Sequence, residues 1–221
     1  MPATTPSRPG SIELIGGHPA LDLVNTVSWR QDAERWRENL AVPLDLLIWA
    51  DRAGVLDRHQ LVAMRTAIAQ EAETAESVMD RVRALREQLH HHLADCLDQP
   101  GRQPQVEAGS PLHRAFVDAV TASSLAGTHA RWTLQPGCLH DLPRVLALYA
   151  LDLVQTTPPD RLRRCDDHGC GWLFLDTTRN HSRRWCSSSD CGNRDRARRH
   201  YARNRTGARA DAAAFDGSAP S

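Results

Sequence analysis

The chain has 221 residues, a length that suits one large domain or a medium domain joined to a small one. Hydrophobic residues make up 41%, too many for a disordered chain, and no run approaches the roughly 18 consecutive apolar residues of a membrane-spanning helix. The net charge of zero hides an asymmetry: residues 1–160 carry 14 Arg against 20 Asp and Glu, whereas residues 161–210 carry 13 Arg against five Asp. A basic block of this kind points to a polyanionic partner.

In chain order, residues 1–10 are rich in Pro, Thr and Ser and lack the apolar stretch of a secretory signal. This predicts a cytoplasmic protein with reduced cysteines, and no membrane partner. Ile12 and Ile15 suggest a short strand ended by Gly16 and Gly17. Pro19 suits the first turn of a helix carrying Leu21, Val24 and Val27 inward. Pro43 opens a second helix with Leu44, Leu47 and Ile48 on one face, closed by Gly54. Asp57 is an N-cap for a helical tract running to about residue 97. In that tract a stripe of Leu61, Met64 and Ile68 gives way to Val78, Val82, Leu85, Leu89 and Leu93, and the change of register near 71–75 divides it into two helices. Residues 98–111 form a loop by composition, a helix follows over about 111–123, and 128–135 alternate around Trp132 as a strand. The strongly apolar helix over 142–154 belongs to the centre of the core. Pro158 and Pro159 mark a linker. The N-terminal domain, 11–157, is therefore expected to fold on its own, ahead of a finger over 161–205 and a small polar tail over 206–221 without fixed structure.

The cysteines of that finger carry the clearest chemistry. Cys165 and Cys170 are separated by four residues, as are Cys186 and Cys191, with fifteen residues between the pairs. Two tight pairs on a hairpin-sized spacer can bring four sulfurs to tetrahedral geometry around Zn²⁺. Soft thiolates also suit an iron–sulfur cluster, and two unrelated buried pairs are the third option. Segments 172–176 and 182–185 are expected to pair as strands around a turn holding Asn180, with a helix opening at Cys191 and running to about 204. Knuckle, hairpin and helix together make a treble clef. Cys96 and Cys138 fall outside the pattern and read as small buried apolar residues.

Arg164 and Cys165, then Leu173, Phe174, Leu175 and Asp176, then Asn180, then Ser182 through Cys186, then Cys191, Gly192, Asn193 and Arg194 resemble the CGNR zinc finger family. Further upstream, Gly17, the run Ala20 to Thr26 and the isolated Trp132 strand resemble the ABATE domain that precedes such fingers. The resemblance implies an α+β fold: a mainly helical N-terminal domain with a few short strands, followed by a C-terminal treble-clef-like finger. It also implies a family proposed to consist of stress-induced transcription regulators that bind DNA. His181 and His168 depart from the family pattern, the latter as a rival ligand inside the first knuckle.

The expected metal ligands are Cys165, Cys170, Cys186 and Cys191, holding Zn²⁺. The expected nucleic-acid contacts are Arg183 and Arg184 on the hairpin and Arg194, Arg196, Arg198, Arg199, Arg203 and Arg205 on the helix. Arg196, Arg199 and Arg203 share one helical face, and Ala197 and Tyr201 are the expected packing stripe. Gly192 is expected to allow a tight turn beside the metal, and Asn193 to bond the knuckle. No phosphate-binding loop, metalloprotease helix or nucleophile elbow is present, so no enzyme activity is expected. His90, His91 and His92 point in different directions on a helix and cannot jointly hold an ion, and Asp22 and Asn25 read as local capping groups. The function these features predict is a zinc-dependent DNA-binding transcription regulator whose N-terminal domain senses a small-molecule effector or forms a homodimer. An RNA-binding or protein-interaction zinc module is the alternative.

Overall fold

The structure, a computed structural model, describes residues 13–99, 105–127 and 131–215. Among these, seven helices and three two-stranded antiparallel sheets follow one another as α1 (Pro19–Val24), β1 (Val27–Ser28), β2 (Arg37–Glu38), α2 (Pro43–Arg52), α3 (Arg58–Gln70), α4 (Ala72–Asp98), α5 (Pro111–Thr121), β3 (Ser124–Ala126), β4 (Arg131–Thr133), α6 (Asp141–Thr156), β5 (Leu162–Arg164), β6 (Leu173–Leu175) and α7 (Cys191–Phe215). No helix among the described residues is long and apolar enough to cross a membrane.

Local chemistry sets most of the helix starts. Asp57 and Gln60 form a reciprocal capping box at α3, which satisfies two backbone donors that the first turn leaves open. Ser110 caps α5, accepting from the His113 amide, with Pro111 following it. Asp45 accepts from the amides of Ala41 and Val42 at the start of α2, and Asp141 accepts from those of Gly137 and Cys138 at the start of α6. Glu71 closes α3 and opens α4, the break that the change of register foretells.

α4, 27 residues long and therefore about 40 Å, is the spine. Val78, Met79, Val82, Leu85, Leu89 and Leu93 line its buried face at helical spacing, against α1, α2, α3, α5 and α6. α2 buries Leu46, Leu47, Trp49 and Ala50, while Leu44 and Ile48 are exposed, so the face read from Leu44, Leu47 and Ile48 is displaced. The large indole of Trp49, fully buried, sets the rotation in their place. Ile15 is in no strand, and Ile12 lies outside the described residues. The strand expected over 128–135 is the three-residue β4, whose partner β3 pairs Leu125 with Trp132; Thr128 lies outside the described residues.

Pro158 and Pro159 precede the finger, whose cysteines and Phe174 form a buried cluster of their own, but the two parts share buried residues. Leu162 of β5 and Leu173 of β6 are buried in the same cluster as the helices of the N-terminal part. α7 runs on through Phe215, into a segment whose small polar composition suggests a tail. Its Ala and Arg residues are also good helix formers. Residues 216–221 lie outside the described residues.

Candidate metal centre

The first knuckle grows out of the β5–β6 hairpin. β5 pairs with β6, Leu162 opposite Leu175 and Arg164 opposite Leu173, and the connecting loop holds Cys165 and Cys170. This corrects the expected pairing of 172–176 with 182–185: the latter segment is irregular and returns only one backbone bond, from Asp166 N–H to the Arg184 carbonyl at 2.9 Å. Gly169 and Gly171 explain the tighter hairpin. Both have positive φ, 90° and 71°, a conformation side chains rarely adopt, so the chain can reverse at once after Cys165. The second knuckle, Cys186 to Cys191, closes as α7 begins.

Four cysteines from these two loops converge. Their Sγ atoms all lie within 4.8 Å of one another, and all four residues are buried. Cys170 and Cys186 are 3.7 Å apart and Cys186 and Cys191 3.3 Å. Zinc–thiolate bonds of about 2.3 Å place tetrahedral sulfurs about 3.8 Å apart, so the cage fits a zinc ion. Phe174, fully buried, and the flanking Trp172 and Trp185 form an apolar shell around it.

Electrostatics argue for the same occupant. Hydrogen bonds from Cys170, then Cys186 and Cys191, hold the Cys165 thiol below its usual range. Contact with Cys165 and then Cys170 pushes Cys186 and Cys191 above theirs. Cys186 and Cys191 thus resist ionising beside their neighbours, and a divalent cation removes that resistance. The Arg194 guanidinium also donates to the Cys191 sulfur at 2.8 Å. His168 is exposed and is no member of the cluster. His181 sits at φ 49° with its ring 3.3 Å from Asp160. Cys96 is half-buried, and Cys138 is exposed where a buried residue was expected. It sits beside the N-terminus of α6, with its amide bonded to Asp141.

The arginines divide into two groups. Arg183 stacks on Phe174, 4.2 Å from the ring centre, and donates to the carbonyls of Ile15, Trp185 and Cys186. Arg194 bonds Asp167, Asp190 and Cys191, and Arg198 bonds Asp167 and Asp195. These three brace the finger, Arg198 from an exposed position through two carboxylates. Arg184, paired with Asp166, and Arg196, Arg199 and Arg203 are exposed. Arg196 reaches the Ser188 carbonyl and Arg199 pairs with Asp195. Arg205 lies beyond the described side chains. Ala197 and Tyr201 are not a packing stripe: both are exposed, Tyr201 at 69%. α7 packs through its first turn, where Cys191 and Asp195 are buried. Asn193 ties the knuckle, donating to the Ser189 carbonyl and accepting from Arg196. Gly192 lies in the first turn of α7, where a Cβ would meet only ordinary contacts at 3.5 Å or more, so the tight turns belong to Gly169 and Gly171 instead.

The N-terminal part grips the finger through residues that sequence reasoning passed over. The Asn25 side chain donates to the Leu173 carbonyl at 2.8 Å and accepts from its amide at 2.9 Å, acting as a third strand to β6. The amides of Arg30 and Gln31 donate to the carbonyls of Cys170 and Gly169. The Trp172 indole donates to the Val27 carbonyl. Trp29, at φ 59°, lies between the guanidinium groups of Arg35 and Arg194, 3.2 and 4.6 Å from its ring centre. This strap is fixed to α4 in turn: buried Arg86 bonds Glu38 and Thr26, and Arg30 pairs with Glu87. Burial opposes ionisation of Glu87, but Arg30 and then Arg86 outweigh it and hold its pKa at about 2. The advance signal was the run Ala20 to Thr26, which resembles the ABATE domain, but Asn25 within it reads from sequence as a local capping group.

Comparison with known proteins agrees with this division. The ABATE family model, described as "Putative stress-induced transcription regulator", matches residues 17–158, and the CGNR zinc finger model matches 161–204. No curated protein matches the chain. With the buried four-cysteine cage, the finger match identifies Zn²⁺ as the cofactor.

Proposed function

The chain belongs to the ABATE family and ends in a CGNR zinc finger, and from that premise we propose that it is a DNA-binding transcription regulator whose zinc is held by Cys165, Cys170, Cys186 and Cys191. The observation that carries the reading is the exposed arginine face of α7, raised on the closed metal cage. Arg196, Arg199 and Arg203 recur at three- and four-residue spacing on a helix whose buried residues, among its described side chains, lie in its first turns, and Arg184 adds to the same basic segment. Arg199 pairs with Asp195 and Arg184 with Asp166, but the segment 161–210 holds 13 Arg against five Asp, and a polyanion relieves the repulsion that remains. With four thiolates and one Zn²⁺ contributing about −2, the segment 161–210 stays near +6.

Four sulfur ligands leave zinc no open position for substrate, which supports a structural metal and a non-catalytic protein. Arg183, Arg194 and Arg198 then hold the shape of the finger, while Arg184, Arg196, Arg199 and Arg203 meet phosphate. The N-terminal domain acts as the sensing or dimerising part. Gel-shift titration of duplex DNA, with single-stranded DNA and structured RNA as competitors, tests the reading; preference for duplex supports it.

One observation favours the alternative of an RNA-binding module. Tyr201 is an aromatic ring on the basic helix, 69% exposed with an edge contact to His200, and exposed rings stack on unpaired bases. If Tyr201→Ala weakens single-strand binding and leaves duplex binding unchanged, the RNA reading takes precedence.

A further inference from the structure

The N-terminal domain contains a groove of about 770 Å³, walled by α6, by β4 with the residues after it, and by the α2–α3 turn. This is within the range of small-molecule sites. Its aromatic surfaces are Trp132 and Tyr149, with Trp132 still 38% exposed.

The polar groups lining the groove are unevenly matched. Among the described residues the Arg131 guanidinium makes no hydrogen bond and has only a distant ion pair, 3.9 Å to Asp152, with its side chain 73% exposed. The Trp132 indole N–H, the Tyr149 hydroxyl and the Gln155 amide show no partner there either. The two carboxylates and one amide oxygen are engaged: Asp152 takes the His18 ring at 3.2 Å, Asp57 caps α3 through the Gln60 amide, and the Gln135 side-chain oxygen takes Gln60 at 2.7 Å. A groove with spare donors, one free guanidinium fork and two aromatic faces selects a ligand that is flat, largely apolar and rich in acceptors at one end. Arginine recognises a carboxylate by two parallel hydrogen bonds.

We infer that this groove binds a small planar carboxylate, an aromatic acid, with Arg131 holding the carboxylate and Trp132 and Tyr149 flanking the ring. The groove also touches the grip on the finger. His18, bonded to Asp152 on one ring nitrogen, caps α1 through the other, accepting from the Ala20 amide at 3.2 Å. The residue that closes α1 is Asn25, the one that pairs with β6. The inference gives the sensing role proposed above a ligand class, and its test does not depend on DNA.

The test is calorimetric titration of the full-length, zinc-loaded protein with 2-naphthoate and with its uncharged isostere 2-naphthamide, repeated for Arg131→Gln and Trp132→Ala. Naphthoate should bind at least about tenfold more tightly than the amide, as expected for a charge-assisted pair. Arg131→Gln should erase that preference without changing zinc content and with little effect on melting temperature, since Arg131 is exposed and makes only the distant ion pair with Asp152. Trp132→Ala should weaken acid and amide alike. Equal binding of acid and amide, an unaltered preference in Arg131→Gln, or no binding of naphthoate up to millimolar concentration would overturn the inference. Retained or lost duplex binding in the same preparations reports separately on the DNA reading.

Discussion

Replacing Asn25 by Ala separates a structural clamp from a pocket residue. Asn25 is fully buried, and its amide group satisfies both backbone groups of Leu173, itself fully buried. Truncation leaves one donor and one acceptor without partners in a place water reaches poorly. Each orphaned group costs about 1–3 kcal/mol, so the pair costs about 3 kcal/mol if the small cavity admits some water. For a chain of this size each kcal/mol moves the melting temperature by about 2–4 °C, which gives a drop of about 6–12 °C. The assay is a thermal melt followed by circular dichroism, with zinc measured in the same sample and amide exchange followed at Leu173. Exposed Thr156→Ala serves as a control expected within about 0.5 kcal/mol of wild type. A melt of Asn25→Ala within 2 °C of wild type, with Leu173 still protected, would refute the clamp and with it the account of how the finger is held.

Burial pushes Asp22 up to about 6, against backbone bonds from Gly16 and Ile15 that pull it down, so the native state keeps a proton that the unfolded chain loses. The contribution of this group therefore falls as pH rises from about 4 to about 6, and Asp22→Asn should gain relative to wild type across that window, by about 2–3 kcal/mol at the plateau. Melts from pH 4 to 7.5 check this. His90, which burial holds near 4, titrates in both proteins and cancels in the difference, so a flat difference contradicts the assignment. Removing zinc with a chelator should expose the amides of Arg30 and Gln31, which bond the carbonyls beside and at Cys170; unchanged exchange at 30 and 31 would show that the strap holds without the metal. A chain ending at Thr157 loses Leu162 and Leu173 from the shared core and should melt broadly or aggregate, whereas a sharp melt with full helical signal would restore the independent N-terminal domain that the proline pair suggests.

The zinc cage and most helices were legible in the sequence because their determinants are local. Two cysteine pairs, a capping box at Asp57 and Gln60, and prolines at helix starts each act within a few residues. The strand partner of β6 was not legible, because Leu173 to Leu175 could pair forward with 182–185 or backward with 162–164. The choice rests on the positive φ of Gly169 and Gly171, where a Cβ would also crowd Asp32 and Arg30, contacts that the local sequence does not announce. The split among the arginines was hidden for a similar reason. Arg194 and Arg198 are bound by Asp167, 27 and 31 positions earlier, and Arg183 is held by Phe174 and by the carbonyl of Ile15. Helical spacing alone suggested Ala197 and Tyr201 as a packing face, but both are exposed among the described residues.

The central claim is that the exposed arginines of α7 bind duplex DNA while the cage keeps them in place. The most direct measurement is a salt titration of duplex affinity for the zinc-loaded wild type and for the triple variant Arg196→Ala, Arg199→Ala and Arg203→Ala. The slope of log affinity against log salt should flatten by about 0.9 for each phosphate contact removed, close to 3 in all, with zinc content unchanged. A triple variant that keeps its zinc, its wild-type affinity and its slope would contradict the claim.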